Sequence, residues 1–249
     1  MHVSRTCLCV KPPLNTGISR KYAVALVFQV QKYKLIIIFA KNYCMNSIKI
    51  NLEKTNDDLF MQSKWWGNPD LPENFDVPDD LTFICQIRCD EISKFDEENL
   101  LPHKGMLYFF AAIDYYLGHI DSYYPVDFYW NNEDVKVFYV EDIDNQIFEQ
   151  VVFVDDDDNP MAMNELKITF VKAEALCDGN KMLGEPYNRE WEDWDEPYNG
   201  WTELLQVDSD DYDDCTLNFL DWGMLHVLIN RNNLKNKDFN NVTSCICST

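Results

Sequence analysis

The densest run of hard oxygen donors in the chain is Val-Asp-Ser-Asp-Asp-Tyr-Asp-Asp at 207–214, and a second, Asp-Asp-Asp-Asp-Asn-Pro, lies at 155–160. Clusters of that kind suit Ca²⁺ or Mg²⁺. Neither keeps the calcium-loop spacing D-x-[DN]-x-[DN]-G. Tyr212 and Asp213 take the fifth and sixth places of the first run, and Pro160 stands where the second needs glycine. If the strand ahead of the first run continues, Asp208 and Asp210 share a face and Asp211 turns away. Asp208 and Asp210 are therefore the candidate metal pair, with a solvated loop as the plain alternative.

A different chemistry is written at 185–201, Glu-Pro-Tyr-Asn-Arg-Glu-Trp-Glu-Asp-Trp-Asp-Glu-Pro-Tyr-Asn-Gly-Trp. Aromatic faces interleaved with carboxylates can grip a cationic segment through cation–π contact and charge. Glu190, Trp191, Asp193, Trp194 and Tyr198 are the candidate partner-binding residues. The alternative is that these rings cover a core beneath a long connection. A glycosidase would need two carboxylates facing each other, and nothing in the spacing provides that.

Nucleophilic catalysis finds no support. There is no G-x-S-x-G elbow, and the four histidines (2, 103, 119, 226) are scattered. His226 takes the place of Tyr108 in the repeat described below, which reads as a packed residue rather than a base. The nine cysteines form no C-x-x-C pair, and an odd count without a secretory leader reads as reduced thiols in a cytoplasmic protein. Cys85 with Cys89 and Cys245 with Cys247 have same-face spacings on a strand, but structural zinc normally adds nearby histidines, which the four here do not supply. No catalytic residue is assigned and no cofactor other than the divalent cation of the Asp208–Asp210 alternative, and the chain reads as a binding protein ahead of an enzyme.

Charge narrows the partners. The chain has 43 acidic and 21 basic residues, a formal net charge of −22. Residues 1–44 hold seven of the basic ones (Arg5, Lys11, Arg20, Lys21, Lys32, Lys34, Lys41) and no acid, leaving 14 basic (21 − 7) against 43 acidic beyond them. A body of that charge excludes nucleic acid and anionic membrane as partners and favours a basic protein. In the head, the apolar runs at 22–28 and 35–40 are broken by Lys32 and Lys34. Two lysines in mid-span cost about 5–7 kcal/mol on an insertion scale, which opposes a transmembrane helix. The head is read as a poorly ordered extension, a transit peptide being the alternative.

The elements that must position these residues come in a repeated order. Leu-Thr-Phe-Ile-Cys-Gln-Ile-Arg-Cys-Asp at 81–90 aligns without gaps to Trp-Thr-Glu-Leu-Leu-Gln-Val-Asp-Ser-Asp at 201–210. Gly67-Asn-Pro69 matches Gly184-Glu-Pro186, and the strand entered at Gly105 matches the one entered at Gly223. The shifts are 117 (184 − 67), 120 for Gln86 to Gln206 (206 − 86) and 118 (223 − 105), the signature of an internal duplication. Gly67, Pro69, Gln86, Gly105, Gly184, Pro186, Gln206 and Gly223 are its structural motif. Each copy reads as turn, buried strand, acidic loop, buried strand, with three further strands expected within 134–175. One-turn helices are expected near 90–95 and 233–237. The expected fold is α+β, predominantly antiparallel β, with two pseudo-symmetric halves packed as one body: repeat 1 at about 63–114, intervening strands at about 115–176, repeat 2 at about 180–243, all within a domain at 45–249.

Gln-Ser-Lys-Trp-Trp-Gly-Asn-Pro-Asp-Leu-Pro at 62–72, Leu-Gly-Glu-Pro-Tyr at 183–187, Leu-Leu-Gln-Val-Asp-Ser-Asp-Asp at 204–211, Asn-Phe-Leu-Asp-Trp-Gly-Met-Leu-His-Val-Leu-Ile at 218–229 and Asn-Leu-Lys-Asn-Lys-Asp-Phe-Asn-Asn-Val at 233–242 together resemble the YwqG-like family of uncharacterised, mostly bacterial soluble proteins. The resemblance covers about 46–249. Trp66 replaces a glycine usual there, and His226 replaces an aromatic. The resemblance implies a compact α+β fold with two related halves and an interaction role of the kind played by immunity proteins; it implies no activity. Two function classes follow. One is a cytoplasmic binding protein whose acidic, aromatic surface takes a cationic partner. The other is a divalent-metal hydrolase built on Asp208 and Asp210.

Overall fold

The computed structural model describes residues 46–78, 80–117, 133–187 and 200–247. The basic head at 1–44 and the aromatic stretch at 188–199 lie outside them. In chain order the strands are β1 (Ser47–Lys54), β2 (Lys64–Trp65), β3 (Asp70–Pro72), β4 (Thr82–Arg88), β5 (Met106–Ala111), β6 (Val135–Val140) and β7 (Phe148–Gln150), then β8 (Leu166–Ala173), β9 (Lys181–Met182), β10 (Trp201–Asp208), β11 (Asp210–Asp211), β12 (Thr216–Leu217), β13 (Met224–Asn230) and β14 (Val242–Cys247).

Ten of them form one sheet in the order β14-β13-β10-β9-β1-β8-β2-β4-β5-β6, with every neighbouring pair antiparallel. The end strands β14 and β6 touch. Across that seam Lys237 lies 3.1 Å from Glu141, and the Tyr139 and Phe239 rings are 5.6 Å apart. The sheet is thus a nearly closed barrel, which leaves little free edge for pairing with another chain.

This corrects the α+β expectation: the fold is antiparallel β. Helix among the described residues is limited to Cys89–Ile92, Arg231–Lys235 and the 3₁₀ turns Ser93–Phe95 and Asp114–Leu117. The physical reason is length. A helix of one turn carries the cost of nucleation with few hydrogen bonds in return, and here each serves as a corner between strands. The second helix stops within two residues because Lys237 adopts a left-handed backbone, φ 58°.

The order of the large sheet reads alike outward from its centre. β9, β10, β13 and β14 lie on one side of the β1–β8 pair, and β2, β4, β5 and β6 on the other. β1 precedes β2 in the chain yet pairs with β9, while β8 pairs with β2. The two innermost strands are therefore exchanged between the halves. Both halves also carry a bulge at the same place, between Phe83 and Cys85 in β4 and between Glu203 and Leu205 in β10.

One continuous core fills the interior. Ile48, Ile50, Ile84, Leu107, Phe109, Leu205, Val227 and Ile229 all belong to it, so both halves bury their apolar faces against each other. A smaller apolar cluster covers the outside of the first half, where Leu71, Phe83, Met106, Tyr108 and Phe110 meet Phe75 and Phe138. There β3 and β7 form a two-stranded flap.

Candidate functional site

A short strand enters each half, turns sharply, and hands the chain to a buried glutamine. Gly67 and Gly184 sit at φ 73° and 86°, each after a residue that is itself left-handed, Trp66 or Leu183. A Cβ at Gly67 would fall 2.7 Å from Glu165 Cβ, and one at Gly184 would fall 2.5 Å from the Ala175 carbonyl oxygen. Glycine is needed there for space as well as for φ. The turn brings the following backbone over the sheet. Gln86 Oε1 accepts from the Asp70 N–H at 2.9 Å, and Gln206 Oε1 accepts from the Tyr187 N–H at 3.1 Å. The amide nitrogens donate backward, Gln86 to the Gln62 carbonyl at 2.8 Å and Gln206 to the Gly179 carbonyl at 2.7 Å. The same pairing recurs one step along each strand, where Ser63 Oγ accepts from the Arg88 N–H and Asn180 Oδ1 from the Asp208 N–H, both at 2.8 Å. These are side-chain polar groups satisfying backbone N–H groups and carbonyls, as burial demands, and their role is positional.

Beside each glutamine lies a buried lysine. Lys64 is opposite Gln86 in the ladder and Lys181 is opposite Gln206. Lys64 Nζ stands 3.1 Å from Asp70, with both side chains fully buried, and 3.5 Å from Glu165. Lys181 Nζ donates to the Ala175 and Glu185 carbonyls at 3.1 and 2.6 Å. Burial lowers the Lys181 pKa, with the charge of Glu203 acting against that.

The outer faces of the halves then diverge. In the first, Phe83, Tyr108, Phe138 and Val140 form part of the apolar cluster. By strand register the same places in the second half hold Glu203, His226, Cys245 and Cys247: Tyr108 lies opposite Phe138 and His226 opposite Cys245, while Met106 lies opposite Val140 and Met224 opposite Cys247. His226 Nδ1 is 2.8 Å from Glu203 Oε2, and neither side chain has any exposure. Burial pushes the imidazole down, but the Glu203 charge and the interaction with Cys247 outweigh it and hold His226 at about 9. Burial raises Glu203, and the imidazolium opposes it. Each charge of the pair favours the other. Cys245 Sγ and Cys247 Sγ are 3.9 Å apart on one face of β14, with Cys247 partly exposed.

Residues 63–247 match the family described as Domain of unknown function (DUF1963). The chain belongs to the DUF1963 family. The match begins just before β2 and runs to the end of β14, so it takes in both halves of the DUF1963 barrel and omits β1. A search of curated proteins found no match.

The DUF1963 barrel places the sequence-derived candidates as follows. Asp208 ends β10 and is half-buried; Asp210 opens the separate β11–β12 pair, is exposed, and accepts from the Asp211 N–H. Burial raises Asp208, and the charges of Asp210 and Asp178 add to this. Among the described residues no group of three His, Cys, Asp or Glu side chains could hold a metal ion. Glu190, Trp191, Asp193, Trp194 and Tyr198 lie outside the described residues. The run at 155–160 is an exposed turn in which Asp155 accepts from the Asp157 and Asn159 backbone and the Asn159 side chain. No helix among the described residues is long and apolar enough to cross a membrane. Sequence reasoning missed Glu203, Lys64 and Lys181. The gapless repeat held a signal for the first, since Glu203 aligns with Phe83 in a strand read as buried on both faces.

Proposed function

We propose that this DUF1963 protein is a YwqG-like, cytoplasmic binding protein that recognises a cationic partner carrying apolar side chains, as a neutraliser of a basic protein would. One observation carries the reading. Between Lys136 and Lys167 there is no basic residue, while Asp142, Asp144, Glu149 and Asp155 to Asp158 are exposed. The same stretch exposes Ile147, Val152, Val154 and Met161, at 67, 53, 46 and 59%. Exposed apolar side chains rimmed by one sign of charge mark a docking surface. Free cysteines throughout the described residues suit a reducing compartment.

The test uses two labelled peptides of equal charge, one of Lys and Leu and one of Lys and Ser, titrated by fluorescence anisotropy at low and high salt. The Lys/Leu peptide binds more tightly, weakens with salt, and loses its advantage in Ile147→Ser/Val152→Ser. Equal binding of the two peptides, or binding that ignores salt, overturns the proposal.

A further inference from the structure

Where the first half holds Phe83, Tyr108, Phe138 and Val140, the second buries the Glu203–His226 ion pair, which costs desolvation, beside Cys245 and Cys247, which pack with Leu228 and Trp201. The arrangement is that of an activated thiol. A buried carboxylate fixes an imidazole at 2.8 Å, and that imidazole stands opposite Cys245 in the β13–β14 ladder, one pleat from Cys247 on the same face of β14. An imidazolium beside a thiol favours the thiolate, which is the nucleophile. The second sulfur, 3.9 Å away on the same strand face, decides between the chemistries open to such a group. Acyl transfer has no use for a neighbouring thiol, whereas oxidation of one sulfur followed by capture by the other requires it.

We infer that the second half holds a two-thiol redox site, in which Cys247 reacts with hydroperoxides and Cys245 resolves the product. The Cys247 thiolate attacks the terminal peroxide oxygen; the S–O bond forms as the O–O bond breaks, and the departing alkoxide or hydroxide takes the proton of the His226 imidazolium. Cys247 is then a sulfenic acid. The Cys245 sulfur attacks it; the S–S bond forms, the S–O bond breaks, and the hydroxyl leaves as water with the Cys245 proton. Two thiols have lost two electrons, and one hydroperoxide has become an alcohol or water plus water. A small-molecule thiol returns the pair to the reduced state by exchange. Residues two apart on a strand have Cα atoms about 6.6–6.8 Å apart, at the upper end of the disulfide range of about 4.4–6.8 Å. The resulting bond is strained and readily reduced, which suits a cycling site.

Trypsin cleaves after Lys237 and releases residues 238–249, in which Cys245 and Cys247 are the only cysteines. The full chain is treated with equimolar hydrogen peroxide, alkylated, digested and weighed. The 238–249 peptide loses two hydrogens and escapes alkylation; Cys247→Ser abolishes this, and Cys245→Ser leaves Cys247 trapped by dimedone as the sulfenic acid. Without peroxide, iodoacetamide labels Cys247 faster than Cys177, and His226→Tyr, which installs the residue of the first half, slows that labelling about tenfold, the effect of one pKa unit on the thiolate fraction. A peptide that stays dithiol while Cys177 oxidises overturns the inference. So does wild-type labelling of Cys247 in a folded His226→Tyr variant.

Discussion

Lys64 and Lys181 occupy equivalent buried places, 117 residues apart (181 − 64), and are held by unlike partners: a carboxylate at 3.1 Å for the first, two backbone carbonyls at 3.1 and 2.6 Å for the second. A buried ammonium tolerates either, because each supplies negative potential and fills donor capacity. The consequence for stability differs, since a carbonyl cannot be left charged and a carboxylate can.

Removing Asp70 leaves the buried Lys64 ammonium with Glu165, at 3.5 Å, as its remaining counter-charge. Asp70→Asn is expected to lower stability by about 3–5 kcal/mol. Lys181→Met, which takes a donor from the Glu185 carbonyl and a cation from the surroundings of Glu203, is expected to cost about 1–3 kcal/mol. Urea unfolding of both variants checks the ranking, and a milder Asp70→Asn would show that Glu165 takes over as counter-charge.

The two glutamines make one test together. Gln86→Leu and Gln206→Leu each leave a buried N–H and a carbonyl without a partner, about 2–4 kcal/mol by the cost of unsatisfied groups. Gln86→Leu is expected to cost more, because Gln86 Nε2 also donates to the buried Asp70 Oδ2 at 2.6 Å, and the two effects are expected to add in the double variant, as separated sites do. An equal or smaller loss for Gln86→Leu would mean that the bond to Asp70 carries no load.

Exchange of the central strands predicts mutual dependence. Because β1 pairs with β8 and β9 and β8 pairs with β2, a chain divided at about residue 125 leaves each piece lacking a central neighbour. Expressed singly, neither piece is expected to fold; expressed together they are expected to rebuild the barrel, read by near-ultraviolet circular dichroism. A single piece with native dichroism would sink this.

The His226–Glu203 pair makes stability fall with alkaline pH. His226 is held at about 9 in the folded protein against 6.5 as its ordinary value, so its contribution is complete below about 6.5 and is lost as pH rises through about 9. Glu203 is raised too, so its sign is the same, at lower pH. The full difference is on the order of 3 kcal/mol. Lys181, shifted down, acts with opposite sign nearer its own titration. Comparing wild type with His226→Tyr removes that background. The melting temperature of the wild type is expected to drop more between pH 6.5 and 9 than that of the variant, and parallel curves would rule out the charged pair.

Parts of this are visible in the sequence. The spacing of Gln86 to Gln206 and Gly67 to Gly184, the strand character of β4, β5, β10 and β13, and the confinement of acid to the body can be read from residue order, since local backbone demands and period-2 patterning are properties of neighbouring residues. β1 alternates Ile48, Ile50 and Leu52, the same period-2 pattern. The one-turn helices expected near 90–95 and 233–237 are there, and the α+β class fails because helices of that length turn corners between strands and build no layer of their own.

Residue order by itself determined which segments are extended, where the chain must turn at glycine, and how charge is divided along its length. Tertiary structure alone decided that β1 and β8 change places between the halves, that Lys64 and Lys181 lie inside, and that Glu203, His226, Cys245 and Cys247 meet. Lys64 and Lys181 are enclosed by strands far along the chain, opposite Lys167 and Lys49 in the sheet, and strand exchange depends on β1–β8 pairings 112 to 126 residues apart (166 − 54 and 173 − 47). No local pattern encodes either, because the free energy that decides them belongs to contacts made only when the barrel closes.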